Sequence, residues 1–454
     1  MSIGKNQVEI INYSKKFINK IDETRIKSYL SGVCYPALWG QNLGYAKIKF
    51  HLNGWRYSLK YIYLLLKNIL SISVNAEYEV IRNSSKVKDN KILILTWGFK
   101  NNFNQDGTLF DRYFKESSNE IPNSHWILLS MDGYVPNNLS DNITVVRIKK
   151  GFFKYLFFYF IKVVIKKIFE CQFSLKKIFH YLNFYSHLAD FVSKIVKEEL
   201  VGKNYKILLL PYEGQPFQLT SIIEAKKIDQ KIKTLGYIHT VLTPNPCEYI
   251  YRKGSPDYIL IHGRANSEIL EKTLYWPKNK IIFTESLRFR EDQDRKLSNI
   301  IFTPTTIDDH KKYLNEFEKF VKSSPDGYFP ILRIRSHPAG GASSQQIKHD
   351  NFKNKLESIM KLYHDRFSKT PKRQNIGIFF GVTASIFEAL ESGVEDIIHI
   401  CGDPIFESHS QEIWPNLTVE QKSENLFSYK LKNKGKYIAF GSKKNILNEL
   451  LKKF

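Results

Sequence analysis

Two short stretches in the last third of the chain combine residues able to hold a phosphorylated ligand. In Ile331-Leu332-Arg333-Ile334-Arg335-Ser336-His337-Pro338-Ala339-Gly340-Gly341, apolar bulk reads as a buried strand that ends on basic and small polar groups. Pro338 cannot continue a ladder and Gly340-Gly341 frees the backbone to turn, so His337 falls at a strand's carboxyl end. In an open parallel sheet that end is the ligand edge, where an imidazole beside Arg333 and Arg335 can meet a phosphate oxygen. The same His-Pro pair can equally do no more than end a strand and turn the chain.

About forty residues later a second apolar strand, 375–381, runs into a helix over 382–393 with Ile386, Phe387, Ala389 and Leu390 on one side and Gly393 as its stop. Thr383 and Ser385 occupy its first turn, where hydroxyls and free N–H groups attract anions. Glu388, one turn in, can accept hydrogen bonds from a ribose. Read as structure alone, Ser385 is a helix cap and Glu388 belongs to a solvated face.

Together these stretches resemble the donor-binding half of GT-B glycosyltransferases, in particular the bacterial His-Pro group of sialyl-, polysialyl- and Kdo-transferases of surface polysaccharides. In that group the His of a strand-end His-Pro binds the donor phosphate, and a Ser/Thr-containing helix start completes the nucleotide site. The carry-over falls on His337-Pro338 and on Thr383 or Ser385, within a resemblance that covers roughly residues 205–450. Nucleotide-sugar epimerases and polyol-phosphate polymerases also carry a His-Pro on related sheets, so the motif speaks to fold and ligand type more than to substrate.

Earlier in the chain, Tyr205 to Pro211 is a continuous apolar strand that delivers Glu213, then Gly214 and Pro216, to the same kind of edge. A lone acid at a strand end, with backbone freedom after it and a helix to follow, is a common way to present a catalytic carboxylate. It can also be a turn glutamate satisfied by nearby N–H groups. The next strand ends on His239, a general acid, an acceptor ligand or an ordinary hydrogen-bonded histidine. Upstream, the strand 91–98 leads into a polar loop with Asp106 and Asp111.

These residues need a sheet covered on both faces, which requires continuous apolar strands rather than alternating ones. Strands are expected at 91–98, 125–131, 143–148, 205–211, 234–240, 256–263, 280–284, 299–303, 331–335, 376–380 and 396–401, with an edge candidate at 437–440 and a terminal helix at 445–454. Alternation of short strands with helical segments implies an α/β fold. With the resemblance, it implies a GT-B-like pair of Rossmann-like doubly wound domains facing a cleft: a helical appendage at 1–86, an acceptor-side domain at 87–245, and a nucleotide-sugar domain at 246–454 whose C-terminal helix crosses back.

Length and composition fit this reading. The 454 residues allow two domains, and 43% hydrophobic with 25% charged residues is globular. The 68 Lys and Arg against 45 Asp and Glu give a net charge of +23, which calls for an acidic partner: lipid, polyanionic glycan, nucleotide or nucleic acid. The four cysteines Cys34, Cys171, Cys247 and Cys401 form no cluster, so neither a disulfide framework nor a zinc site is expected, consistent with a reducing cytoplasm. The amino terminus lacks a signal-like apolar core. The segment 151–169 mixes aromatics with Lys154, Lys162, Lys166 and Lys167, the pattern of a helix lying in a membrane interface or of a core-facing helix with solvated lysines. No GxGxxG, Walker loop, HExxH or GxSxG is present.

The expected chemistry follows from the resemblance and the residues. His337, helped by Arg335, Thr383 and Ser385, neutralises the departing nucleotide phosphate, and Glu388 holds the nucleotide sugar. Glu213, with Asp106 in reserve, deprotonates the acceptor hydroxyl, or one carboxylate acts as nucleophile on a retaining path. Neither a metal nor another cofactor is invoked. The donors of the His-Pro group are often CMP-linked nonulosonic acids or Kdo, whose carboxylate Arg288, Arg333 or Arg335 can meet. UDP- or GDP-sugars and CDP-polyols are the alternatives within the fold, with a lipid-linked or other glycan as acceptor and a site at the inner face of the cytoplasmic membrane. A basic nucleic-acid-binding protein or a silent scaffold is the rival class; no RRM, KH or helix-turn-helix signature supports the former.

Overall fold

The structure, a computed structural model, describes residues 2–22, 77–82, 90–130, 132–149, 184–291, 297–303, 310–335, 343–442 and 446–454, with isolated helical positions at 59, 62, 63, 66, 161, 165, 168 and 169. His337 and most of 151–169 lie outside the described residues.

The chain forms an α/β molecule with two main sheets. The first joins β1 (Glu77–Arg82), β2 (Ile92–Gly98), β3 (Ser124–Ser130), β4 (Ile143–Lys149), β5 (Ile207–Pro211), β6 (Lys233–Tyr237), β7 (Tyr258–Ile261) and β8 (Ile281–Phe283) in the order 1-4-3-2-5-6-7-8. All but β1 run parallel. Counting from β2, this is a Rossmann strand order, with the reversal of winding between β2 and β5. The second sheet joins β9 (Ile300–Phe302), β11 (Arg333–Arg335), β13 (Ile376–Phe380), β14 (Asp396–Ile400), β15 (Leu417–Ser423) and β16 (Leu426–Leu431) in the order 11-9-13-14-16-15. Its reversal lies between β9 and β13. A two-stranded ladder of β10 (Phe329–Pro330) and β12 (Phe367–Ser368) stands apart.

Alternate residues of the strands feed different cores. In the first sheet Leu93, Leu95, Ile127, Leu208 and Leu210 point into one cluster, while Ile94, Trp126, Leu128, Leu209 and Leu235 point into another. In the second sheet Ile300, Phe302, Phe379 and Ile397 join the first of these clusters, and Ile301, Ile376, Ile378, Phe380 and Ile398 face a third. One apolar core is therefore shared by both sheets, with a separate core behind each. Burial on both faces is what the uninterrupted apolar runs require.

Three expectations change. The boundary at 245/246 put β7 and β8 in the second unit, but they pair with β6, so the first sheet extends to Phe283 and the second begins at β9. The stretch around Arg333 is not a buried strand: among the described residues β11 is a three-residue edge that pairs with β9 alone, and Ile331, Arg333 and Arg335 are exposed. The expected edge strand at 437–440 is instead an irregular return segment, and a hairpin of β15 and β16 forms that edge.

Contacts at both chain ends tie the units together. In the helix Ile3–Asp22, Gln7 Nε2 donates to Ile405 O at 3.0 Å and Ser408 O at 2.7 Å, while Ile10, Ile11 and Ile18 enter the shared core. The opening helix thus rests on residues of the second unit as well as the first, unlike a simple appendage; β1 likewise belongs to the first sheet. At the other end, Glu391 accepts backbone N–H groups of Gly435, Tyr437 at 2.8 Å and Ile438 at 3.4 Å. The chain then crosses back: Ser286 N donates to Ala439 O at 2.8 Å, and Leu447, Leu450 and Leu451 of the helix Ile446–Leu451 pack into the outer core of the first unit.

Candidate active site

The carboxyl ends of β5, β6, β7 and β8 converge on one cluster. β5 ends at Pro211, and the turn after it is held by Gln218, whose side chain accepts from Glu213 N at 2.9 Å and Gln215 N at 3.1 Å and donates to Pro211 O at 2.5 Å. Gly214 has φ +63, and a Cβ there would sit 1.9 Å from Glu248 O, so only glycine fits against the neighbouring loop. This clamp aims the Glu213 carboxylate, and Gln215 Nε2 donates to Glu213 Oε2 at 2.5 Å.

Burial pushes the Glu213 carboxyl up to about 7, against the opposing pull of the Gln215 hydrogen bond and the Arg288 charge. His239 Nε2 stands 3.7 Å from Glu213 Oε1, too far for a hydrogen bond. Burial, with Arg288 and His262 nearby, holds His239 far below the usual histidine range, so it is neutral and the pair is not an ion pair. The Tyr113 ring meets His239 edge-on at 4.4 Å, and burial followed by the Glu213 charge raises its hydroxyl well above the usual tyrosine range. His262, lodged between Tyr237 and Phe289, is pushed down to about 3 by burial and by Arg288. At neutral pH the cluster therefore holds a carboxyl in mid-titration, neutral imidazoles and a fixed cation. That combination can accept a proton from a hydroxyl while holding an anionic group near Arg288.

A second carboxyl lies behind the first. Glu248 is buried, its Oε1 accepts from Thr243 Oγ1 at 3.0 Å, and burial reinforced by the Glu213 charge pushes it up to about 8. Glu248 is thus protonated at neutral pH, and Glu248→Gln copies its resident form. The expected outcome is a melting temperature unchanged near pH 4 but raised above that of the parent at pH 9, because the loss runs from the ordinary carboxyl range up to about 8. The sign follows because a carboxyl with a raised folded-state value contributes stability at low pH that is lost as pH rises through about 8.

Asp106 has no place in this cluster. It is exposed, accepts from Thr108 N at 3.0 Å and Thr108 Oγ1 at 2.6 Å, and those bonds lower its pKa. This is a turn aspartate satisfied by its own loop, a weak base at neutral pH. Asp111 is buried, accepts from Thr96, Tyr113 and Phe114, and organises the loop that carries Tyr113.

The other expected ligands line the carboxyl edge of the second sheet. Thr383 is buried, and its Oγ1 accepts from Ser385 N at 3.1 Å, so this hydroxyl already caps the first turn of the helix Ser385–Glu391. Ser385 and Glu388 are half-buried. Arg335 lies over the Phe302 ring at 6.0 Å, and Thr303 N donates to Arg335 O at 3.1 Å. Thr303, at the end of β9 beside the reversal of winding, is fully buried and its Oγ1 has no partner among the described residues. Behind the turn after β13, neutral His399 bonds Gly381 O through Nε2 at 2.7 Å and the Tyr429 hydroxyl through Nδ1 at 3.0 Å. A carbonyl can only accept, so Nε2 carries the proton and Nδ1 accepts from the tyrosine.

The structure thus brings Glu213, His239 and Arg288 into one cluster and places Arg335, Thr383, Ser385 and Glu388 at the edge of the other sheet. Arg333 is exposed on the edge strand β11. Tyr113, Gln215, His262, Glu248 and Thr303 were missed in the sequence. Position after a strand was a usable signal for His262 and Thr303; nothing local marks the others, because burial gives them their character.

No family model matches the chain, and no curated protein matches it in sequence. Among solved structures it is similar to an α,α-trehalose-6-phosphate synthase from Burkholderia multivorans, at 7% identity over 64% of this chain and 76% of that one, with a TM-score of 0.34. It is also similar to the wall teichoic acid polymerase TagF in a form soaked with CDPG, at 11% identity over 75% of this chain and 77% of that one, with a TM-score of 0.29. A further form of TagF gives 12% identity over 67% and 68%, with a TM-score of 0.28.

Proposed function

We propose that the chain is a nucleotide-sugar-dependent glycosyltransferase in which Glu213 is the base that activates the acceptor hydroxyl. The observation that carries this reading is a carboxyl pushed up to about 7, next to neutral His239 and cationic Arg288, at the carboxyl ends of parallel strands beside the reversal of winding. In the transfer the acceptor O–H proton passes to a Glu213 carboxylate oxygen as the acceptor oxygen bonds the anomeric carbon. The bond from that carbon to the nucleotide phosphate oxygen breaks, and its electron pair leaves with the phosphate. Developing charge there is met from the second sheet's edge by Arg335 and the Thr383–Ser385 turn, together with His337. His239 is read as an acceptor-side hydrogen-bonding group.

A CMP-linked nonulosonic acid or Kdo is the proposed donor, its carboxylate paired with Arg288, Arg333 or Arg335, and a bacterial surface glycan or its lipid-linked precursor is the acceptor. The chemistry takes place in the cytoplasm, and no nucleic-acid partner is proposed.

A thermal-shift screen of free nucleotides tests this. A nucleotide at 100 times its dissociation constant stabilises by ~2.7 kcal/mol. CMP is expected to shift the melting temperature, with UDP and GDP inert, and His337→Ala is expected to remove the shift. A shift by UDP or GDP alone replaces the donor class. A CMP shift untouched by His337→Ala removes the phosphate assignment, and no shift with any nucleotide ends the transferase reading.

A further inference from the structure

The loops after β2 and β3 carry a small array of rings and cations that the transfer chemistry leaves unused. Tyr134, after β3, holds its ring 5.8 Å from that of Phe103, after β2, and Lys100 Nζ lies over the Tyr134 ring at 5.6 Å. Phe103 and Tyr134 are half-buried, while Lys100 and Arg112 of the same β2 loop are exposed. Phe103 packs against the outer core of the first unit, which gives the ring pair a fixed floor.

Polar bonds set this arrangement in advance. Asp132 accepts from Lys100 N at 2.7 Å and from Tyr134 N at 3.1 Å, Ser130 Oγ donates to Tyr134 O at 3.0 Å, and Asn138 Nδ2 donates to Gln105 O at 2.5 Å. The two loops are thus braced without help from the rings. Yet among the described residues neither the Tyr134 hydroxyl nor the Lys100 ammonium has a hydrogen-bond or ion-pair partner. In the sheet β2 lies between β3 and β5, so the Tyr134 loop stands two strands from the turn of Glu213. That is roughly 10 Å, about the reach of two linked sugar rings, at the usual strand spacing. The loop between them joins the two places, because its Tyr113 meets His239 edge-on at 4.4 Å.

We propose that Phe103, Tyr134 and Lys100 form a subsite for an acidic glycan chain, holding sugars of the acceptor beyond the one whose hydroxyl reacts. The inference rests on the reading of Glu213 as the acceptor's base, and adds to it the length and charge of the acceptor. A sugar's C–H face carries slight positive charge and packs on the negative face of an aromatic ring. Lys100 and Arg112 then meet carboxylates along the chain. The acids on these loops do not oppose this, since Asp132 and Asp106 are engaged by the loops' own donors. Single-stranded nucleic acid also suits rings beside cations, but continuity with Glu213 favours the glycan.

Titration calorimetry with two acidic hexasaccharides, hexagalacturonate and a sialic acid hexamer, is the test, with maltohexaose and oligothymidylate alongside. At least one acidic hexamer is expected to bind more tightly than maltohexaose. Tyr134→Ala is expected to weaken that binding about tenfold and Tyr134→Phe to restore it, with the melting temperature and the nucleotide shift unchanged. Lys100→Gln is expected to weaken it about fivefold. Lys206→Gln with Lys233→Gln, exposed lysines at the opposite end of the sheet, controls for the net charge of +23 and is expected to change binding by less than about twofold. If Tyr134→Ala alters folding, Lys100→Gln with Arg112→Gln carries the test. Acidic hexamers that bind no better than maltohexaose overturn the proposal, as do Tyr134→Ala and Lys100→Gln proteins that bind like the parent. Oligothymidylate held through Tyr134 more tightly than either hexamer overturns it in favour of nucleic acid. A nucleotide screen without any shift ends the transferase reading but leaves ring-dependent glycan binding standing, whereas a CMP shift without hexamer binding removes this subsite alone.

Discussion

Glu213→Gln is expected to lower turnover by ~10²–10⁴-fold while leaving the nucleotide thermal shift intact, because the amide keeps the shape of the carboxyl and cannot take the acceptor's proton. The parent's rate is expected to rise with pH through about 7, since the working form is the carboxylate and burial pushes its carboxyl up to that value. The same burial makes an opposite prediction for stability. A carboxyl with a raised folded-state value contributes stability in acid that is lost as pH climbs through about 7. Glu213→Gln removes that loss, so the variant is expected to melt higher than the parent at pH 8, by up to about 3 kcal/mol, and nearly with it at pH 5. A variant that gains stability as it loses turnover marks a residue held in a costly environment for its chemistry. Turnover within a few-fold of the parent would remove Glu213 from the base role.

The second large effect is expected at Gly263. It opens the helix Arg264–Lys272 with φ +105, and a Cβ there would stand 2.1 Å from Tyr437 O and 2.7 Å from Lys436 O. Those carbonyls are in use: Ala265 N donates to Lys436 O at 2.8 Å, and Asn266 Nδ2 donates to Tyr437 O at 2.9 Å. Gly263→Ala must therefore strain the backbone and force the return segment off the first unit, breaking both bonds. The summed cost is about 4 kcal/mol or more, from strain of ~1–3 kcal/mol and two buried hydrogen bonds. Gly435→Ala is the control, since Gly435 has φ +70 but open space around its Cβ position. It is expected to cost about 1 kcal/mol. Equal melting temperatures for the two variants would show that the Gly263 contact does not hold the units together. Because His262 precedes Gly263, the steric variant is also expected to disturb the Glu213 cluster.

What could be read along the chain was whatever depends on neighbours in sequence. The runs at 92–95, 126–129, 207–211 and 376–380 carry no polar side chain, and only strands covered on both faces need that. The ends of 207–211, 233–237 and 376–380 mark Glu213, His239 and the Thr383–Ser385 turn as edge residues from the sequence. Partner choice is not legible: Tyr258–Ile261 and Ile281–Phe283 have the same pattern whichever sheet they join, and the boundary at 245/246 assigns them to the second unit, whereas pairing puts them in the first sheet. The hairpin of β15 and β16 was missed because β15 is mostly exposed and polar, so its strand identity comes from pairing rather than pattern. Ile331 misled for the converse reason: an apolar side chain just before an edge strand, left exposed. Tertiary structure alone decided the chemistry of the acids: Asp106 and Glu213 are both carboxyls in loops after strands, yet one is lowered by its own turn and the other raised by burial under distant residues. Backbone periodicity is a property of nearby residues, whereas desolvation depends on which remote side chains exclude water, and that is fixed only when the sheets close over one another.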